Sequence, residues 1–408
     1  MPFQNMIAFI INFTRKSLQI ELNCFTDLCN NKSEMTKQAF SKSRQNLSPE
    51  TFELLNQELI AEFYTDNEIK TFKGFRVFGI DGSSIRLPES KELYEEYGSN
   101  EKQNSVPLAI TSVLYDVLNH IAIHATSQPG RTPERRMALE NILALCEFDD
   151  LINSDHAGDI IVFDRGYPWL FLMFFMQNKN KNFIMRCSSK VLSEVNAIAQ
   201  SDARDVVITI PAFKSKRFLY PEFAQYLPHL AKDASIEIRI LQLELSSGQK
   251  EVIVTSLTDE KQFTGDDLFE LYGLRWNSEE AYKLYKCIAE IEGFSGKSKI
   301  TVEQDFHATI LTCNLASILM QEAQSEVQQE RSANDDNACK YSYKINRNVL
   351  IGSMKNNIVE ILLSDCDLNV YCEQFKKRIK NSLVPIRPNR SFPRTYRKRE
   401  KSGKRRAL

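Results

Sequence analysis

GDIIVFDRGYPWLFLMFFMQ, residues Gly158 to Gln177, reads as a buried strand that stops at an acid and a buried helix that follows almost at once. IIVF is a short, continuous apolar run, and Asp164-Arg165-Gly166 closes it as a turn. Pro168 stands near the start of the next apolar stretch, where a missing N–H costs a helix nothing. A strand followed directly by a helix marks an α/β chain. An acid just past a buried strand projects at the edge of the sheet, where sites on α/β sheets gather. FRVFGIDG, Phe75–Gly82, repeats the pattern: a strand predicted to end at Asp81, then a glycine turn.

Outward from these two strands the period alternates between helix and sheet. Residues 1 to about 70 read as helical, with Ser48 as the N-cap of SPETFELLNQEL, Pro49 at its first position and Glu50 in its first turn. Just before it, TKQAFSKSRQNL places Lys37, Lys42 and Arg44 on one short basic segment. SVPLAITSVLYDVLN and HIAIHATS predict two strands, and RRMALENILALCEF a helix. FIMRCS and VVITIPAF predict further strands, and IEIRILQLEL–SSGQ–KEVIVTSL a hairpin turning at Ser247-Gly248. Helices resume after Thr264 and Gly265. Residues 326–345 read as a polar surface loop, NVLIGSMKNNIVEILLS as a helix, and the Pro-, Ser- and cation-rich end as a tail.

YGLRWNSEEAYKLYK, Tyr272–Lys286, gathers three tyrosines, a tryptophan, an arginine, two glutamates and two lysines. An ideal helix advances about 100° per residue. With Tyr272 at zero, Arg275 falls at about −60°, Glu279 at about −20° and Lys286 at about −40°. One narrow stripe then holds a carboxylate between two cations, with a phenol at one end. The opposite side, Leu274, Ala281, Leu284, Ile288 and Ile291, is apolar and can pack on a core. A carboxylate suits a hard metal ion and the flanking cations suit phosphate oxygens. The competing reading is a solvated face with an Arg275–Glu279 pair four residues apart.

Composition sets the limits. At 408 residues, 42% hydrophobic and 26% charged, the chain is an ordinary globular sequence of several domains. No run reaches the roughly 18 apolar residues of a membrane span, and MIAFIINF does not read as a signal peptide. Nine scattered cysteines without a CxxC pair point to a reducing compartment and away from zinc. Cys24, Cys29, Cys366 and Cys372 read as buried small hydrophobes. The net charge of −1 hides an asymmetry: from Lys376 to Leu408 there are 14 Lys/Arg against one acid, Glu400. That end is the natural place for a cationic contact with phosphates. The five histidines show no metal-ligand spacing.

Three carboxylates from two strands and a helix could hold two Mg²⁺ ions about 3.5–4 Å apart, the arrangement that serves phosphodiester chemistry. The order strand-Asp81, strand-Asp164 in DRGY, a long β stretch, then Y-x2-R-x3-E-x6-K resembles the DDE transposases of bacterial insertion sequences. It resembles in particular the family typified by insertion sequence 4, whose YREK signature is matched by Tyr272, Arg275, Glu279 and Lys286. FSKSRQNLSPETF, SVLYDVLN and RPNRSFPR are also similar to stretches of that family.

The resemblance implies an α/β fold: an RNase H-like catalytic core (a mixed sheet flanked by helices) with a β-rich insertion, plus helical N-terminal and C-terminal regions. The expected division is 1–70 helical and DNA-binding, 71–169 the first part of the core, 170–265 mainly β insertion, 266–330 the helical remainder with YREK, and 331–408 a helical region with its basic tail. It implies metal-dependent cleavage at transposon ends and 3′-OH strand transfer into target DNA. Asp81, Asp164 and Glu279 are then the catalytic and metal-binding residues, with Mg²⁺ as the cofactor and Mn²⁺ able to substitute. Tyr272, Arg275 and Lys286 grip phosphates; Arg165, Trp276, Lys37, Lys42 and Arg44 are further expected DNA contacts. The implied partners are double-stranded DNA, as terminal inverted repeats and target, and a second copy in a synaptic dimer. The implied location is the cytoplasm, at the nucleoid. Some family members stack a flipped base on a tryptophan of the insertion; Trp169 and Trp276 both lie outside it. The alternative from a different class is an inactive or repurposed DNA-binding protein with the same fold.

Overall fold

The computed structural model describes residues 1–12, 17–29, 35–99, 106–152, 156–188, 192–201, 203–211, 220–226, 234–244, 250–333, 342–363 and 368–386. In chain order the elements are α1 (Phe3–Asn12), α2 (Leu18–Leu28), α3 (Lys37–Arg44), α4 (Glu50–Asp66), β1 (Phe75–Arg86), α5 (Lys91–Tyr97), β2 (Leu108–Asp116), β3 (Ile121–Pro129) and α6 (Glu134–Ile152). Then come β4 (Gly158–Phe163), α7 (Leu170–Asn178), β5 (Lys181–Cys187), α8 (Ser193–Ala199), β6 (Asp205–Pro211), α9 (Pro221–Ala224), β7 (Ser235–Glu244) and β8 (Lys250–Thr255). The remainder is α10 (Gly265–Gly273), α11 (Trp276–Lys283), α12 (Lys299–Ala333), β9 (Tyr343–Ile345), α13 (Arg347–Leu363), α14 (Leu368–Lys380) and β10 (Leu383–Pro385). The chain forms two compact units, one of residues 49–314 and one of residues 1–48 with 315–408.

The 49–314 unit is built on one eight-stranded sheet in the order β3-β2-β1-β4-β5-β8-β7-β6. β1 pairs antiparallel with β2 and parallel with β4, and β4 pairs parallel with β5. This 3-2-1-4-5 mixed sheet, flanked by helices, is the RNase H-like core. The strands of the β-rich stretch do not form a separate sheet: β8 pairs antiparallel with β5, and β7 and β6 follow outward. α7 joins β4 to β5 and is buried from Leu170 to Met176, so its nearly all-apolar sequence is explained by its being covered all round. The Ser247-Gly248 turn of the β7–β8 hairpin lies outside the described residues.

Buried charges lock the beginnings of three adjacent strands. Arg76, fully buried on β1, donates from Nε and Nη2 to Asp159 on β4 at 2.7 and 2.9 Å. Lys181 on β5 bonds Asp159 from the other side, and Asp149 of α6 bonds both cations. The register pairs Arg76 with Asp159 and Asp159 with Lys181, so the ladder itself sets the charges side by side. His156 stands 3.3 Å from Asp159. Asp149, His156 and Asp159 could together offer three ligand atoms within 4.8 Å of one another. Their charge is already balanced by Arg76 and Lys181, so the cluster is an ion-pair network rather than a metal centre.

Three local expectations are corrected. β1 does not stop at Asp81 but runs on to Arg86, because β2 supplies partners as far as the Arg86–Leu108 pair. α12 extends to Ala333, so residues 326–333 are helix and not loop. The first turn of α4 follows Pro49, itself already in helical conformation, rather than Ser48.

In the other unit, α1 packs on α13, and Phe9 makes edge-on contacts with Phe25 and Phe40 at 5.3 and 4.8 Å. Lys376 and Lys380 of α14 are engaged by Glu326 and Glu330 of α12. Cys24 is exposed and Cys29 and Cys372 are half-buried, against the expectation of buried thiols; Cys29 caps the end of α2 rather than facing a core. Cys366 and residues 387–408 of the basic tail lie outside the described residues. No helix among the described residues is long and apolar enough to cross a membrane.

Candidate active site

Asp81 and Asp164 are brought together by register. The parallel β1–β4 ladder ends at the Ile80–Phe163 pair. The next residue on each strand is the acid, so both stand at the same level where the two strands part. β1 continues against β2 alone, with Asp81 opposite Val113. The Gly82 N–H donates to the Asp81 carboxylate at 2.9 Å, and the Tyr282 hydroxyl donates to the Asp81 carbonyl at 2.9 Å. Both Asp81 and Asp164 are half-buried.

Glu279 arrives on α11. Asn277 of that helix donates to the Val117 carbonyl at 2.9 Å, and Ser278 is buried against β1. Gly79 makes that approach possible: a Cβ there would lie 2.1 Å from Ser278 Oγ. Gly79→Ala is therefore expected to overpack the joint and destabilise the fold by about 1–3 kcal/mol. Thermal melts of Gly79→Ala alone and combined with Ser278→Ala check this. If removing the serine hydroxyl restores no stability, the close approach is not what Gly79 provides.

The Tyr272–Lys286 stretch is not one uniform helix, which corrects the ideal wheel. α10 ends at Gly273 and α11 starts at Trp276. Leu274 and Arg275 form the joint through tight bonds to carbonyls three residues back, 3.1 Å to Leu271 and 3.2 Å to Tyr272. Further on, Leu284–Ile288 is a π-helical turn, closed by the Ala289 N–H on the Leu284 carbonyl at 2.9 Å. Tightening in one place and widening in another change the angle per residue. The four side chains consequently hold different positions. Arg275, 8% exposed, donates from Nη2 to Glu279 at 2.9 Å. Its guanidinium lies over the rings of Tyr272 and Trp276, at 5.9 and 5.2 Å from their centroids. Lys286 reaches back to the extended part of β1, 2.6 Å from Ser83 Oγ and 2.7 Å from the Ser84 carbonyl.

Charge binds the constellation. Burial pushes the Asp81 carboxyl up to about 6; Gly82 and Arg275 counter it, and the charges of Glu134 and Glu279 add to it. Burial alone would lower the Arg275 pKa, but Asp164 and the bond to Glu279 raise it on balance. Burial likewise raises the Tyr272 phenol, with Asp164 and Glu251 opposed by Arg275 and Arg186. The Tyr272 hydroxyl and Arg275 Nε are buried without hydrogen-bond partners. Among the other sequence candidates, Arg165 is exposed beside Asp164 and Trp276 is 48% exposed beside Arg275. Lys37 and Lys42 are exposed on α3, which Thr36 caps through the Ala39 N–H, whereas Arg44 is buried over the Phe40 ring.

Residues 73–315 match the family model described as Transposase DDE domain. The chain belongs to that family. Over 131 residues the chain is 28% identical to a candidate transposase, InsZ, of Escherichia coli (strain K12), covering 30% of this chain and 44% of that one. The chain thus spans less than half the length of that curated relative. Among solved structures it is similar to the piggyBac transposase of a synaptic complex with hairpin DNA, at 9% identity and a TM-score of 0.44, over 92% of this chain and 75% of that one.

Two members of the site were missed in the sequence. Tyr282, three residues after Glu279, holds the backbone of Asp81; its place on the helix three residues from the candidate acid was the available signal. Glu134 opens α6 after β3, and its surroundings are non-local, so no period marks it. The donor set of the DDE domain suits a hard divalent cation: carboxylates within electrostatic reach of one another, with Arg275 the cation they share.

Proposed function

We propose that the chain is a metal-dependent transposase that cuts DNA at the ends of its element and joins the freed 3′-hydroxyl to target DNA. The observation that carries this reading is the register that sets Asp81 and Asp164 side by side where β1 and β4 part, with Arg275 bonded to Glu279 and within the field of Asp164. Asp81, Asp164 and Glu279 would be the carboxylates that hold the Mg²⁺ ions. When bound, such ions activate the attacking water or hydroxyl and stabilise the leaving oxygen.

The rest of the work belongs to the chain. The unpartnered Tyr272 hydroxyl and Arg275 Nε are donors that a phosphate beside the scissile bond would satisfy. Arg275 also fixes the rotamer of Glu279 before DNA arrives. Lys286, tied to Ser83 and Ser84, offers its charge along the open edge of β1. Exposed Trp276 offers a face for a base at the rim. Joining exchanges one phosphodiester for another, so it needs no external energy source. The DNA partners are the terminal repeats and the target, with a second copy pairing the ends and Lys37, Lys42 and the basic tail contacting phosphates. Arg44 is left out because it is buried.

The test uses linear DNA carrying the element's own flanking ends, with Mg²⁺ or Ca²⁺, and products resolved on denaturing gels. Cleavage at the ends and joining of the 3′-OH to a target, with Mg²⁺ only, is the expected result. Cleavage without joining would make the chain a nuclease. Binding without cleavage under any divalent metal would make it a DNA-binding relic of the fold.

A further inference from the structure

Glu134 and Tyr167 face the same carboxylates from two further elements. Glu134 begins α6, and an acid in a first helical turn ordinarily serves the helix dipole. Its carboxylate is turned elsewhere. A Cβ on Gly82 would lie 3.0 Å from Glu134 Oε1, and a Cβ on Gly166 3.9 Å from Glu134 Oε2. The two oxygens therefore lie beside the backbone next to Asp81 and the backbone two residues past Asp164. Glu134 makes no hydrogen bond or ion pair among the described residues, although Arg135 and Arg136 adjoin it. Both arginines are committed: Arg135 donates to the Gly166 and Pro168 carbonyls at 2.9 and 3.1 Å, and Arg136 pairs with Glu140 and Glu222. Glu134 is exposed.

Tyr167 supplies the independent observation. It is 1% exposed, and its hydroxyl has no hydrogen-bond partner. A buried phenol with no acceptor is costly to leave unsatisfied, so an acceptor is expected when the site is filled. Burial raises its pKa well above the ordinary value, and the charges of Glu134, Asp81 and Asp164 raise it further. Its ring is anchored 5.4 Å from that of Phe163, and its N–H bonds the Asp164 carbonyl at 3.2 Å. The hydroxyl is therefore a buried donor without an acceptor, within electrostatic reach of the same carboxylates.

We propose that Glu134 is a fourth carboxylate of the divalent-metal site, on the side of Asp81 and Asp164, and that Tyr167 is its positioning residue, donating from beneath the acids. This rests on the metal-dependent reading above. Asp81, Asp164 and Glu279 come from β1, the end of β4 and α11, and Glu134 adds an acid from a fourth element, α6. Arg135, clamping the Asp164 loop from the adjacent position, keeps that element at a fixed distance.

The test is Mn²⁺ binding by the full chain, read from the free-ion EPR signal without DNA, for wild type, Asp81→Asn, Glu134→Gln and Tyr167→Phe. Thermal melts establish that each variant is folded. Glu134→Gln is expected to weaken Mn²⁺ binding by about 10-fold or more, and Tyr167→Phe by a few-fold, the scale seen when groups supporting a metal are removed. Glu134→Asp, which keeps the charge on a shorter arm, recovers part of the loss. Full binding by Glu134→Gln beside lost binding by Asp81→Asn overturns the role of Glu134 and leaves the metal site standing. No binding by wild type overturns both. Wild-type binding by Tyr167→Phe overturns the positioning role.

Discussion

Glu279→Gln is expected to lower cleavage and strand joining by about 10³-fold or more while DNA binding stays at the wild-type level. Glutamine keeps the volume of the side chain, and its carbonyl oxygen can still accept from Arg275 Nη2, so the joint between α10 and α11 survives. What it removes is the negative charge. Arg275 is then a cation without its carboxylate, which favours phosphate binding and leaves the metal-holding set short by one ligand. Cleavage and filter-binding assays on the same end DNA separate the two effects. A variant cutting within tenfold of wild type would take Glu279 out of the chemistry and reduce its bond with Arg275 to an ordinary helix-surface pair.

At the opposite ends of the same strands, Asp159→Asn is expected to cost about 3–5 kcal/mol, because Arg76 and Lys181 stay buried with Asp149 as their remaining carboxylate. For a unit of this size each kcal/mol corresponds to about 2–4 °C in Tm, so a fall of roughly 10 °C should be seen at pH 7. Burial alone would raise the Asp159 pKa, but the His156 hydrogen bond and the charges of Arg76 and Lys181 hold it well below the ordinary carboxylate range. A depressed folded pKa gives stability that is fully present above the unfolded value near 4 and is lost as pH falls through the folded one. The gap between variant and wild type should therefore be widest at pH 5–7 and shrink below about pH 4. Melts at pH 7, 5 and 3 check it; a gap that does not change with pH would mean that the charge of Asp159 is not what the ladder uses.

The stretches around Asp81 and Asp164 differ in how much could be read from them. The apolar run before Asp164 ends where the structure ends β4, since a turn rich in glycine and proline follows at once. Before Asp81 the same logic stopped the strand five residues early. Asp-Gly is an ordinary turn signal, but β2 offers a ladder up to Arg86, and paired backbone outweighs local turn preference. The Tyr272–Lys286 wheel identified the Arg275–Glu279 pair and the face that packs on the core, while its uniform angles were broken by a tight joint and a π turn. Those irregularities fit α11 against Gly79 and bring Lys286 to Ser83, constraints that lie about 200 residues away in sequence.

The sequence by itself determined the α/β class, most of the core strands and helices and the spacing of Tyr272, Arg275, Glu279 and Lys286, because hydrophobic period, caps and turn residues act over a few positions. Only the tertiary structure decided that the β-rich stretch extends the core sheet at β5, that Arg44 is buried, and that Glu134, Tyr167 and Tyr282 stand around Asp81. Each of those facts is a pairing of residues far apart in the chain, fixed by strand register and by the loss of water from charged groups, and no local pattern records either.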